Sequence, residues 1–312
     1  MPGLEIVAFS DRHLDAAAEL LCERHERHRE AEPRLPDGLD LRAEIEALWR
    51  RDGASGAATE SGYVIGTPLD DELWGPNMWV ELAGHAARDP ELVRDLYAFL
   101  AEQWVAAGRV AHYVWVPASD TALVDAWFRL GFGAQQALAI RELEDEPVVE
   151  VAGVTVREAT ADDVDALVEL APVLNGHLAL APVFSRRPPW PDDETRAEIV
   201  VDLDNPKIGN LVAEIDGRIV ANFVVVPVEL SSAHSGLARP PGASMLGFAA
   251  TLPEARGSGA GLALTSMCFA WARDRGYDLM VTDWRVTNLL SSRFWLARGF
   301  RPTFLRLHRY IA

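Results

Sequence analysis

Apolar residues recur three and four apart over some stretches of the chain and alternate with polar ones over shorter stretches, the spacings of amphipathic helices and half-buried strands. LEIVAFSDRHLDAAAELL (Leu4 to Leu21) opens with a strand pattern, passes Ser10 and enters a helix pattern. VTVREATADDVDALVELA (Val154 to Ala171) does the same through Thr160, with Asp-Ala and Glu-Leu in register. Further on, ASDTALVDAWFRLGF (Ala118 to Phe132) matches VTNLLSSRFWLARGF (Val286 to Phe300). Each is a strand exit, a helix and a Gly-Phe stop, with Trp127 and Trp295 in register. Two matches in the same order at similar separation predict one fold built twice. The domains are expected at 1–145 and 151–312, joined by the acidic, proline-containing ELEDEPVVE (Glu142 to Glu150).

In the second copy the pattern predicts a strand near Val154 to Glu158 and helices near Asp162 to Leu170 and Asp193 to Leu203. A Pro- and Trp-rich loop, Phe184 to Glu194, lies between those helices. Strands Asn210 to Ile215 and Arg218 to Val228 meet at Asp216-Gly217, a strong hairpin signal. Ala243 to Leu252 reads as a strand and Gly261 to Arg275 as a helix, whose buried face is Leu264, Met267, Cys268 and Trp271. Leu279 to Trp284, the helix Leu289 to Leu296 and a strand near Phe304 to Tyr310 are expected to complete the copy. Hairpin-paired strands followed by helix-joined ones describe an α/β domain with a mixed sheet.

The 312 residues suffice for two cores, and 49% apolar with 24% charged residues excludes a disordered or fibrous chain. No run approaches the ~18 apolar residues of a membrane span. The chain is therefore read as cytoplasmic, with no membrane partner. A net charge of 29 − 47 = −18 repels phosphate backbones, so no nucleic-acid partner is expected. The acidic field serves either solubility or the capture of a cationic substrate. Cys22 and Cys268 lack ligand spacing, and no metal is expected.

Chemistry concentrates in TLPEARGSGAGLAL, where Gly257, Gly259 and Gly261 alternate at a helix entrance. Such a loop presents backbone N–H groups at the positive end of a helix, without side chains to hold an anion away. No Lys follows, so this is not a nucleoside-triphosphate cradle.

Here the chain resembles the GNAT superfamily of acyl-CoA-dependent N-acetyltransferases, whose pyrophosphate loop reads Gln or Arg, two residues, Gly, one residue, Gly or Ala. Arg256, Gly259 and Gly261 fit that pattern, Pro253 precedes it, and Asn288, Phe294-Trp295 and Gly299-Phe300 fit the helix that follows the next strand. The resemblance covers Val154 to Ala312 well and the first copy by element order. It implies two tandem GNAT-like domains with mostly antiparallel sheets, laid out as in tandem members such as mycothiol synthase. It further implies acetyl-CoA in a wedge between the strands ending at Thr251 and near Trp284. The cofactor would be held by Ala249, Ala250, Thr251, Arg256, Gly257, Ser258, Gly259, Ala260, Gly261, Leu262, Asn288, Ser291 and Trp295. Backbone N–H groups near Ala249 to Thr251 would polarise the thioester, whereas Asn288 serves either as a cofactor contact or as a helix cap.

The first copy departs from this pattern. Its loop ELAGHAARDPELVRDL has one glycine, Gly84, and puts Asp89, Pro90 and Glu91 at the helix start. It is expected to bind no coenzyme A and to tolerate substitution of Gly84 without effect on cofactor affinity. Acetylation needs a group to take the amine proton. No Glu stands on the strand before the glycine loop, which leaves Asp283 and His234 as the catalytic candidates and His177 as a further one. The resemblance puts Trp295 where the family carries a Tyr acid, and Tyr310 is a fallback. The expected function is acetyl transfer from acetyl-CoA to a small, cationic amine in a ternary complex, by a monomer or homodimer. The alternative is a non-catalytic acyl-CoA-binding sensor or scaffold.

Overall fold

A computed structural model of the chain describes residues 5–71, 74–188 and 190–311. The first copy runs β1 (Val7–Ala8), α1 (Leu14–Ala31), α2 (Leu41–Trp49), β2 (Ser55–Thr59), β3 (Gly62–Asp71), β4 (Gly75–Val80) and β5 (His85–Ala87). It continues with α3 (Leu92–Ala106), β6 (Ala111–Pro117), α4 (Thr121–Phe128) and β7 (Gly133–Glu142). The second copy runs β8 (Thr155–Glu158), α5 (Val164–Leu178), α6 (Asp192–Asp204), β9 (Gly209–Ile215), β10 (Arg218–Pro227), β11 (Ser244–Thr251) and α7 (Ala260–Asp274). β12 (Leu279–Arg285), α8 (Leu289–Leu296) and β13 (Arg301–Tyr310) follow. The repeat extends to the caps. Ser10 with His13, and Thr160 with Asp163, each form a reciprocal capping box before the first long helix of their copy.

The chain forms two compact units, and their boundaries do not follow the order of the chain. The first comprises residues up to Leu138 together with 235–240 and 302 onward; the second comprises 139–234 and 241–301. The strand read as closing the second copy thus belongs to the first unit. β13 pairs antiparallel with β6, from Phe304 opposite Pro117 to Tyr310 opposite Ala111. Within the second unit, residues 139–142 of β7 lie beside β12. Strand pairing uses backbone groups that do not depend on sequence, which lets β13 pair with β6. Nothing in the hydrophobic pattern distinguishes the two pairings.

In the first unit the strands follow the order β1-β2-β3-β4-β6-β13, with β4 and β6 parallel. Its core joins Val64, Met78, Val80, Val114 and Val116 of the sheet to Leu96, Leu100 and Trp104 of α3 and Trp127 of α4. In the second unit the order is β12-β11-β10-β9-β8, parallel only between β11 and β12. α7 covers one face of this sheet, where Trp271 occupies the space that a side chain at Gly209 would need. Ile140, Val228, Ala243, Met245, Leu279 and Val281 pack together on the other. Arg157 of β8 fastens the start of α5, donating to Asp163 at 2.7 and 2.8 Å and to Glu214. The Arg157 bond holds the Asp163 carboxyl down at about 2. Among the described residues no helix is long and apolar enough to cross a membrane.

Candidate active site

Parallel strands β11 and β12 pair over three positions, Ser244–Met280, Met245–Val281 and Leu246–Thr282, after which the ladder stops. At that point the register of β11 against β10 shifts: Val225 faces Leu246 but Val224 faces Phe248, so Gly247 is an extra, bulged residue. A bulge bends its strand, and β11 runs on to Thr251 while β12 runs on to Arg285 without rejoining it. The N–H of Leu252 bonds Val220 O on β10 at 2.9 Å. Alternation along the strand therefore turns the backbone of Ala249 and Thr251 away from β10, towards the gap. Ala250 turns the other way, paired with Asn222, so it lines the strand without offering its N–H to the gap.

The glycine loop closes one end of the gap. Residues 252–259 lead to α7 through a short turn at Pro253–Ala255, and Gly259 caps the helix at φ +92°. A Cβ at Gly259 would come within 2.7 Å of Val151, so conformation and space both demand glycine. Arg256, Gly257 and Ser258 are exposed, whereas Ala260 is buried and starts the helix. Of the first N–H groups of α7, that of Ala260 donates to the Ser258 hydroxyl at 3.3 Å, and those of Gly261 and Leu262 have no partner within the helix. Phe294 of α8 lies 3.6 Å from where a Cβ of Gly261 would stand.

Beyond β12, Asn288 caps α8. Its Oδ1 accepts from the N–H of Leu290 at 3.1 Å and of Ser291 at 3.4 Å. His177, on the last turn of α5, also donates to it, at 3.2 Å. Asn288 is buried, and the Ser291 Oγ is buried without a hydrogen-bond partner. Trp295 is a core residue, enclosed by Phe223, Phe294 and Phe300 at ring-centroid distances of 4.8 to 6.1 Å. That packing leaves the indole as filler of the hydrophobic interior and takes it out of the set facing the loop.

Asp283 is the first residue of β12 past the last ladder pair. Period-two alternation puts it on the face of Leu279 and Val281, opposite α7. α5 packs on β10 and β11. His234 is placed elsewhere. It lies in the connection between β10 and β11, at the end of β11 remote from the glycine loop, buried at 1% exposure with Nδ1 3.2 Å from the Ser231 hydroxyl. A loop histidine suggested access to the cleft; burial beside Ser231 removes it from an open gap. Tyr310 is exposed on β13, a strand of the first unit. The contact that sequence reasoning passed over is His177 with Asn288, which are 111 positions apart and carry no shared periodicity.

A splayed pair of parallel strands, a bulge and a glycine loop at a helix entrance stand in one unit, and residues 177–300 match the model of the acetyltransferase (GNAT) family. That stretch is similar to the GNAT acetyltransferases. Solved structures share its fold along 99% of its length. A GCN5-related N-acetyltransferase from Sphaerobacter thermophilus is 16% identical, with a TM-score of 0.62 and 97% of that chain covered. A tandem GNAT protein from the clavulanic acid biosynthesis pathway is 14% identical, with a TM-score of 0.51 and 98% covered. A structure described as a glucosamine N-acetyltransferase region in a fungal multi-domain β-N-acetylglucosaminidase is 13% identical, with a TM-score of 0.58 and 38% of that chain covered. The fold is that of a tandem GNAT protein. No curated protein matches the chain in sequence.

Proposed function

We propose that the second domain is an N-acetyltransferase that moves the acetyl group of acetyl-CoA directly to a small, cationic amine. The observation that carries this reading is the gap opened by the Gly247 bulge and bounded by the Gly259 loop. Two features fit the cofactor: the glycine-lined helix entrance suits a pyrophosphate, and the buried, unpartnered Ser291 hydroxyl beside Asn288 suits a polar group of the pantetheine arm. Arg256, Gly257, Ser258, Gly259, Ala260, Gly261 and Leu262 would hold the phosphates, with Asn288 and Ser291 along the arm.

Bound acetyl-CoA supplies a thioester. The gap-facing N–H groups of Ala249 and Thr251 are oriented to donate to its carbonyl oxygen as negative charge develops there, a contribution of ~2.7–4 kcal/mol for one such donor. The amine nitrogen forms the C–N bond, the C–S bond breaks, the pair of electrons leaves on sulfur, and the amine gives up a proton. Asp283 at the mouth of the gap attracts the ammonium form, in keeping with the acidic surface. The first domain, on this reading, takes no cofactor and has a structural role.

A non-catalytic acyl-CoA sensor has one observation in its favour, the buried Trp295 at the position where the family carries a Tyr acid. Release of free thiol from acetyl-CoA across a panel of primary amines and polyamines decides. Amine-dependent release supports the enzyme, and tight binding without release supports the sensor.

A further inference from the structure

We infer that His177 is the general base of this reaction, taking the amine proton on Nδ1; this deepens the reading of the site given above and rests on it. Asn288 Oδ1 already accepts two backbone N–H groups, which fixes the amide with its oxygen towards α8. An oxygen so placed can only accept from His177. The ring therefore carries its hydrogen on Nε2, and its Nδ1 holds a lone pair. A base held at one ring nitrogen and open at the other has the arrangement that proton abstraction needs.

Position supports the assignment. The body of α5 lies on β10 and β11, while its last turn reaches Asn288 beyond the end of β12. The gap opens between β11 and β12, so that last turn crosses its mouth, and His177 is half-buried there rather than sealed in the core. Asp283 and His177 divide the work. A carboxylate, which only accepts hydrogen bonds, suits attraction of the ammonium; an imidazole with a free ring nitrogen suits proton transfer. The proton goes from the amine to Nδ1, giving an imidazolium, and then to water.

The deciding variant is His177→Gln, whose side-chain amide can still donate to Asn288 but is no base. Acetyl-CoA affinity by calorimetry is expected to stay within about twofold, while kcat falls by the ~10²–10⁴ of a lost general base. In His177→Ala, added imidazole is expected to restore part of kcat, and in Asp283→Asn it is not. A His177→Gln enzyme with undiminished kcat overturns the assignment and leaves His177 as a clamp on the α8 cap. Loss of acetyl-CoA binding in step with rate, without imidazole rescue, overturns it too. A wild-type protein that binds acetyl-CoA and acetylates no amine overturns the enzyme reading itself, a result distinguishable from either.

Discussion

Both units open the same kind of gap, but only one leaves it open. In the first, β4 and β6 pair from Asn77–Ala111 to Val80–Val114, then diverge as the chain turns through Glu81–Gly84 into β5. The strands end alike in the two units, with Arg88 N–H on Ser61 O and Leu252 N–H on Val220 O, which makes His85 the counterpart of Ala249. His85 fills its gap: it is fully buried, donates from Nε2 to Trp115 O at 2.8 Å, and packs edge-on to Trp127. Arg24 enters from α1 and donates to the carbonyls of His85 and Leu82. In the repeat register Arg24 answers to Leu174, which has nothing to donate. The loops differ as well, with four residues from Arg88 to Glu91 against eight from Leu252 to Gly259. A wedge is thus an ordinary consequence of this sheet, and what enters it is decided by a few side chains. One copy has filled with its own side chains the space that the other leaves between its strands.

The sharpest break of that comparison is Gly259→Glu. It forces a side chain to φ +92°, at a cost of about 1–3 kcal/mol, drives its Cβ against Val151, and sets a carboxylate where an anion should bind. Coenzyme A affinity is expected to fall at least about a hundredfold, equivalent to ~2.7 kcal/mol. Glu91→Ala, at the start of α3, is expected to leave it unchanged. Calorimetry giving two cofactors per chain, or normal binding by Gly259→Glu, would defeat the asymmetric assignment. Gly84, which the sequence offers as a harmless control, is not one: a Cβ there would meet Glu81 N and Ile65 O at 2.9 Å, so substitution disturbs the turn itself.

What could be read beforehand follows from range. The repeat, the hairpin at Asp216-Gly217, the capping residues and the glycine loop are local signals, and observed elements such as α7 (Ala260–Asp274) and α8 (Leu289–Leu296) lie within a residue of their expected bounds. The pairing of β13 with β6, the bond from His177 to Asn288 and the plug of Arg24 and His85 depend on which segments meet in space. Trp295 shows the limit from the other side. Its place in the motif was legible, but whether its ring faces the loop or the interior is settled by Phe223 and Phe300, far away or across a turn.

Acid should separate the units next. Burial pushes the imidazoles of His85 and His28 down to about 3, so both are neutral in the folded first unit. Unfolded, each would bind a proton below about 6.5. The unfolded state therefore gains protons first, and the first unit's stability, complete above pH 6.5, drains away as pH falls towards 3, at about 1.4 kcal/mol per pH unit for each histidine. In the second unit Asp163, lowered to about 2 by Arg157, gives stability that is lost only below the ordinary carboxyl range. Hydrogen exchange of amides in α1 and β5 against those in α5 and β9 reads the two separately. A His234→Gln background removes the buried imidazole of the second unit from the comparison. Equal protection of both segments between pH 6.5 and 4.5 would sink this account.

The smallest effects should come from the tryptophans that the repeat aligns. Trp127 is fully buried with its indole N–H unpaired, whereas Trp295 sits at 5% exposure among three Phe rings. Replacing either with Phe removes ring volume from a packed core, which costs stability. At Trp127 the same change also removes a buried donor whose unmet hydrogen bond carries a penalty of about 1–3 kcal/mol, so the two contributions oppose each other. Trp127→Phe is therefore expected to change stability by less than Trp295→Phe, with both within about 1.5 kcal/mol in urea denaturation. Turnover should move by less than about threefold in either, because neither ring is asked to handle a proton. A hundredfold fall in kcat for Trp295→Phe at unchanged acetyl-CoA affinity would show that the indole N–H assists the departing thiolate, and would restore to that position the part that its packing denies it.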